Sequence, residues 1–308
     1  SPLQLIMWRL IQGLGAAAHM PIAQAYLGDI APKGSEGRWM GYFNAVLFAG
    51  MGAGPLLGGV ITDTFNIKAT FLLMAILTAL GLVATVVFLK EMPRKTAALE
   101  HKSYVAPLKS RNMLGLLSYN LTSGIGISSL MAFMPLLADR KLGLSAGLIG
   151  ILMASRSPVA LLQSYTGRLS DRWNRRSMVI CGSLFSIFAI ASLPLTGGFW
   201  LLLAAYILVA FGQAVGMPAA NAFVVQEGRR FGMGATMTMS MMSMNIGMGF
   251  GPVALGKIAD ILGLESIFYL SALCMTAGII VFSCLIPHSA GKETAADFYP
   301  SSPKPSVR

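Results

Sequence analysis

The chain has 308 residues, 55% of them hydrophobic and 11% charged, with a mean hydropathy of +0.68. So few polar side chains cannot coat a soluble globule of this length, which excludes a water-soluble enzyme or binding module and leaves a polytopic helical membrane protein. A formal charge of +11 would ordinarily suggest nucleic acid, but the basic residues come in small groups between apolar segments, so the expected partners are a lipid bilayer and no nucleic acid.

Nine apolar segments follow one another, at about 3–28, 37–62, 69–90, 112–137, 145–166, 177–196, 199–225, 233–257 and 266–286. The first carries Arg9, with Gln12 and Gly13 on its face at i+3 and i+4. Either this guanidinium snorkels to the nearby end of the span or it faces a cavity. His19, alone in the same span, reads as a packing residue.

The second segment contains Gly50–Gly59, in which Gly50, Gly54 and Gly58 recur every four residues and Pro55 invites a kink. Such a glycine string cradles phosphate only between a strand and a soluble helix, and neither flanks it. It reads either as ordinary tight packing or as a helix built to slide against a partner.

The fourth segment has Asn120, Gly124 and Ser128 on one face, a stripe that suits helix packing or pocket lining. The fifth, read as one continuous span, places Arg156 deep in the apolar run with Gln163 seven residues on. A charge at that depth faces a cavity or a partner: an anionic substrate group, or a structural acid. Gln213 and Asn221 in the seventh segment and Asn245 in the eighth complete the candidate substrate cavity. Met237, Met241, Met244 and Met248 share a face beside Asn245, an adaptable apolar wall rather than a metal site, since no Cys or His accompanies them.

With the first connection placed in the cytoplasm, seventeen Lys and Arg fall on that side against four on the other, so the C-terminus is expected in the cytoplasm. Cys181, Cys274 and Cys284 lie in spans at spacings that match no metal or disulfide framework. Neither an acid pair, a nucleophile triad nor a metal cluster is visible, so no enzyme and no cofactor are expected.

An internal repeat organises these segments. A shift of 197 residues lays Gly15, Met20 and Pro21 on Gly212, Met217 and Pro218. The same shift lays Gly50, Gly54, Pro55, Gly59 and Asp63 on Gly247, Gly251, Pro252, Gly256 and Asp260. Segments one to three thus correspond to seven to nine. A counterpart of segments four to six would begin roughly 85 residues before Ser1, room for three spans. The expectation is an N-terminally truncated twelve-helix protein of two parallel six-helix repeats. Its domains are 1–90 (helices 4–6), a cytoplasmic linker 91–111, a six-helix bundle 112–286 and a disordered tail 287–308.

Three stretches resemble motifs of the major facilitator superfamily. Arg9-Leu-Ile-Gln-Gly-Leu-Gly-Ala-Ala17 resembles its fourth-helix motif, and Gly50–Gly59 its fifth-helix antiporter motif. Gly167-Arg-Leu-Ser-Asp171-Arg172-Trp-Asn174-Arg175-Arg176 resembles its loop motif between helices eight and nine, with Asn174 in place of a glycine as a tolerated left-handed residue. The likeness is strongest to the twelve-helix drug:proton antiporters. It implies an all-α membrane fold of two pseudo-symmetric bundles around a central cavity, working as a monomer when full length in a bacterial cytoplasmic (inner) membrane.

The activity it implies is secondary active transport of a small molecule, proton-coupled efflux of a drug-like or amphipathic compound, with the proton gradient as energy source. A facilitator-fold importer of an organic anion is the runner-up. In this scheme Arg9 and Gln12 take part in proton coupling. Gly167, Asp171, Arg172, Arg175 and Arg176 latch the cytoplasmic side with Arg38 as the partner of Asp171. The titrating carboxylate lies outside the retained spans, whose own acids all sit at span ends. Leu255 stands where the first copy has Gly58, so the second glycine helix is expected to pack less closely than the first.

Overall fold

The computed structural model describes residues 2–30, 36–89, 106–160, 162, 166 and 173–287. Its helices are α1 (Pro2–Ile30), α2 (Glu36–Thr64), α3 (Ile67–Phe88), α4 (Arg111–Leu142), α5 (Ala146–Ala154), α6 (Arg156–Ala160), α7 (Arg175–Ser192), α8 (Phe199–Phe231), α9 (Met233–Leu262) and α10 (Ser266–Leu285). Among the described residues no strand occurs, and five helices are long and apolar enough to cross a membrane: α3, α4, α7 with its 3-10 extension to Leu195, α8 and α10.

Local chemistry sets most of the ends. Asn66, Ser110 and Ser145 each accept a backbone N–H of the first turn of α3, α4 and α5 with a side-chain oxygen, at 2.9, 3.4 and 3.3 Å. Asn174 does the same for α7, accepting from Arg176 N at 3.0 Å with extended φ and ψ of −65° and 109°. It is therefore a helix cap and not the left-handed turn residue expected from the loop motif. Three helices, α4, α8 and α9, stop at glycines with positive φ, Gly143 at +60°, Gly232 at +105° and Gly263 at +88°, of which Gly143 is the left-handed cap.

The expected continuous span 145–166 is broken. α5 ends at Ala154, Ser155 forms a turn, and α6 restarts at Arg156. Pro158 supplies the reason: it has no N–H for the Ala154 carbonyl four residues back, and its ring crowds that carbonyl. Ser155 closes the end with its backbone N–H on Ile151 O at 3.0 Å and its hydroxyl on Leu152 O at 2.7 Å.

The chain divides into two compact units, Ser1–Ala53 and Gly54–Arg308. The first holds α1 and the opening of α2. In the second, α4 packs on α9 and α10, α7 on α8, and α10 on α7. These contacts are close because small residues meet backbone. A Cβ built at Gly182 of α7 would sit 2.5 Å from Gly212 O of α8, and one at Gly247 of α9 would run into Leu121 O of α4. Leu130, Met134, Leu152, Tyr206 and Phe268 fill one core cluster, and Met113, Leu116, Phe223 and Phe282 another.

Candidate functional site

Polar groups collect inside the second unit where α4, α7, α8 and α9 converge. A small cavity of about 20 Å³, room for one water molecule, is lined by Tyr119, Asn120, Ser123, Ser183, Ser186 and Gln213, with Met217, Met244 and Met275 closing it. Asn120 is buried and donates to Ser240 Oγ of α9 at 2.7 Å. The Tyr119 hydroxyl shares the cavity wall with Ser123 and Ser183, and Ser183 Oγ donates to Val179 O at 2.7 Å. Satisfied this way, polar groups can be carried inside an apolar bundle without the penalty of an unmet donor.

Gln213 links this cluster to Arg156. Its Oε1 accepts from Arg156 Nη2 at 2.5 Å, and the guanidinium carbon lies 5.5 Å from the centre of the Tyr206 ring, seven residues earlier on α8. The structure thus brings together three of the expected cavity residues, Arg156, Gln213 and Asn120. Two others stand apart: Asn221 is exposed on α8, and Asn245 lines an open hollow on α9 with Met242, Ile246 and Phe250. Gln163, Gly167, Asp171, Arg172 and the side chain of Arg38 lie outside the described residues.

Arg9 and Gln12 do meet, Arg9 Nη1 donating to Gln12 Oε1 at 3.0 Å on an exposed face of α1. Arg175 and Arg176, expected at the cytoplasmic latch, also bond within the bundle: Arg175 Nη1 to Gln226 Oε1 at 3.5 Å and Arg176 Nη2 to Ser283 O at 2.8 Å. At the same end Glu227 of α8 is 2% exposed and accepts from Ser110 Oγ at 2.7 Å and Asn112 Nδ2 at 2.9 Å, which ties α8 to the start of α4.

The glycine helix α2 makes a seam with α5. A Cβ at Gly59 would sit 3.2 Å from Gly147 Cα and run into Ala146 O, and one at Gly150 would lie 2.5 Å from Pro55 O. One turn further on, Asp63 Oδ2 accepts the backbone N–H of Gly147 at 2.6 Å, in the first turn of α5 where a negative group is favoured. Gly58 faces another way: its carbonyl accepts from Thr62 at 2.7 Å and from Thr70 of α3 at 3.3 Å.

The face expected to pack, Gly50–Gly54–Gly58, is therefore not the one that meets α5; the adjacent Pro55–Gly59–Asp63 face is. The helix carrying the second copy packs on α4 through Gly247 and Gly251, about as closely as the first copy packs on α5 through Gly59. Leu255 does not hold that helix off, because it is buried one turn beyond the two glycines that make the contact.

The serines and tyrosine of the cavity escaped the sequence reading because they are scattered singly over two helices. The small-residue string Gly182-Ser183 with Ser186, opposite Gly212 and Gly216, was the available signal.

The family model described as Major Facilitator Superfamily matches residues 1–155 and again 116–308. The chain is similar to an uncharacterized MFS-type transporter of Methanocaldococcus jannaschii, 28% identical over 297 residues that cover 91% of this chain and 74% of the relative. It is equally similar, at 28% over 297 residues, to the multi-drug resistance efflux pump PmrA of Streptococcus pneumoniae, covering 91% and 71%. With the multidrug resistance protein MdtG of Salmonella paratyphi A it shares 24% identity over 290 residues, covering 92% and 70%.

Proposed function

The chain belongs to the major facilitator superfamily and is a multi-pass membrane transporter of a small molecule, and from that premise we propose that it exports drug-like or amphipathic compounds in exchange for protons entering down their gradient, by alternating access. The observation that carries the reading is the seam of Pro55, Gly59 and Asp63 against Ala146, Gly147 and Gly150. It joins a helix of the expected N-terminal bundle, 1–90, to one of the expected C-terminal bundle, 112–286, with little more than backbone in contact. Such a contact slides or parts without dragging large side chains through a core.

By the distribution of positive residues the seam lies on the side away from the cytoplasm. Its closure, with Asp63 on the first turn of α5, seals that side while the other is open. Arg175 and Arg176 hold the base of α7 to α8 and α10 at the cytoplasmic end, so that this bundle moves as one body. The pair Arg9–Gln12 is the candidate for coupling to protons, and the names of the efflux-pump relatives support the direction of transport.

The test is efflux from inverted membrane vesicles of a fluorescent amphipath, with the proton gradient imposed and then collapsed by an uncoupler. Gradient-driven accumulation is expected, and it should fall at least tenfold in Arg9→Gln. A flux indifferent to the gradient would remove proton coupling, and no flux of any amphipath would remove the efflux reading.

A further inference from the structure

Arg156 is held in place without being neutralised. One arm of the guanidinium, Nη2, is spent on the neutral amide oxygen of Gln213, and its face lies over the Tyr206 ring. The other arm, Nη1, is buried and has no hydrogen-bond partner among the described residues. No carboxylate among those residues pairs with Arg156; the described ion pairs are Lys141 with Glu265 and Arg230 with Glu227. A buried, charged donor left unmet is among the costlier defects a bundle can carry, and it marks a place where something else completes the shell.

The helix is also interrupted beside it: Ser155 makes a one-residue turn immediately before Arg156, and Pro158 sits in the short helix that resumes there, so the guanidinium emanates from the restart of the span. Discontinuous spans are where a membrane protein presents polar groups to a ligand. The neighbouring cavity holds one water and no more, so it supplies a polar wall through Gln213 and Asn120 but not the ligand's seat.

We infer that Arg156 is the charge-selecting residue for transport: its Nη1 takes one oxygen of a singly charged organic anion, a carboxylate or a related oxyanion, with Gln213 and Tyr206 fixing the direction of the arm. Gln213 and Tyr206 are positioning residues; only Arg156 touches the ligand. This rests on the transport reading above and narrows it to amphipaths carrying a negative group. Lysine does not replace the arginine, because a single ammonium cannot keep the bond to Gln213 and present a second directed donor as well.

The experiment measures equilibrium binding of pyrenebutanoate and of its methyl ester to the purified full-length protein in neutral detergent, with efflux of both followed in vesicles. Carboxylate is expected to bind at least tenfold more tightly than ester. Arg156→Gln should bring the carboxylate down to the ester's affinity, Arg156→Lys should keep only part of the preference, and Arg140→Gln, an exposed cation at the end of α4, should keep all of it.

Competition on the unaltered protein needs no variant to fold: octanoate should displace pyrenebutanoate and octylamine should not. Equal binding of acid and ester, equal displacement by octanoate and octylamine, or an undiminished preference in Arg156→Gln would each overturn the inference. Loss of the preference with gradient-driven efflux of the ester intact removes this site and leaves the transport reading. A preserved preference with no flux does the reverse.

Discussion

Gly50–Gly59 in α2 and Gly247–Gly256 in α9 carry the same spacing of glycine and proline 197 residues apart, yet they use opposite halves of it. In α9 the first two glycines are the contact: Cβ atoms at Gly247 and Gly251 would collide with Leu121 O and with Ser128 Oγ of α4. In α2 the later residues are the contact, with Pro55, Gly59 and Asp63 against α5. Their counterparts in α9 are loosely placed. The nearest atom to a Cβ at Gly256 is Phe133 Cζ at 3.8 Å, and Asp260 is exposed. The repeated pattern is thus two-faced, one face for a neighbour in the same bundle and one for a partner outside it. Each copy displays, among the described residues, the contact the other lacks.

The strongest way to break this comparison is to fill the face of α9. Gly247→Leu would drive a side chain into backbone that cannot move aside, at about 3 kcal/mol or more on the overpacking scale. We expect a large drop in folded yield and in the thermal midpoint of the purified protein, and a far smaller one for Gly50→Leu. Equal losses would show that both copies pack through their first glycines.

Next comes the other face. Gly59→Val should leave the protein folded but cut efflux at least tenfold by wedging α2 from α5, while Gly256→Val should stay within twofold of the parent in the same vesicle assay. A smaller effect is expected at the carboxylate. Asp63→Asn weakens an exposed charge-to-helix interaction of about 0.5 kcal/mol, so the population with the seam closed should fall about twofold. Spin labels on α2 and α5 would read that shift, and Asp260→Asn should produce none. Smallest of all is Gly54→Ala, whose added methyl meets open space; thermal midpoint and flux should both be unchanged within error.

These contrasts mark what the sequence revealed and where it stopped. Apolar runs located the helices, and the caps Asn66, Ser110, Ser145 and Asn174, which act within three residues of themselves, were legible in principle although the reading passed over the first three and took Asn174 for a left-handed turn residue. The membership in a transporter family was legible in three motifs for the same reason: each is a short local string. The break at Ser155 was legible too, through Pro158, but was hidden by reading hydropathy alone across 145–166. The choice between the Gly54 face and the Gly59 face was not, because adjacent residues on a helix point only 100° apart and both faces are equally small. Which one packs depends on α5, and Gly147 and Gly150 declare that only once the chain is folded. Likewise Arg156 was visible as a buried charge, but its pairing with Gln213, 57 residues away, depends on how α8 crosses the restart of the broken span.

α3 differs from the helices of the packed bundle in its exposure. None of the residues of α3 is buried, and Phe71, Leu72, Leu80, Leu82 and Phe88 stand largely bare along it. At 1.5 Å of rise per residue its 22 residues extend about 33 Å, close to the thickness of a hydrocarbon core. α3 is thus long enough to match the acyl layer from end to end, with Lys68 at one end of that length. Because Thr70 ties α3 to Gly58 beside the seam, a membrane thinner or thicker than this helix is expected to tilt α3 and the seam together, and the rate of transport should then vary with lipid chain length.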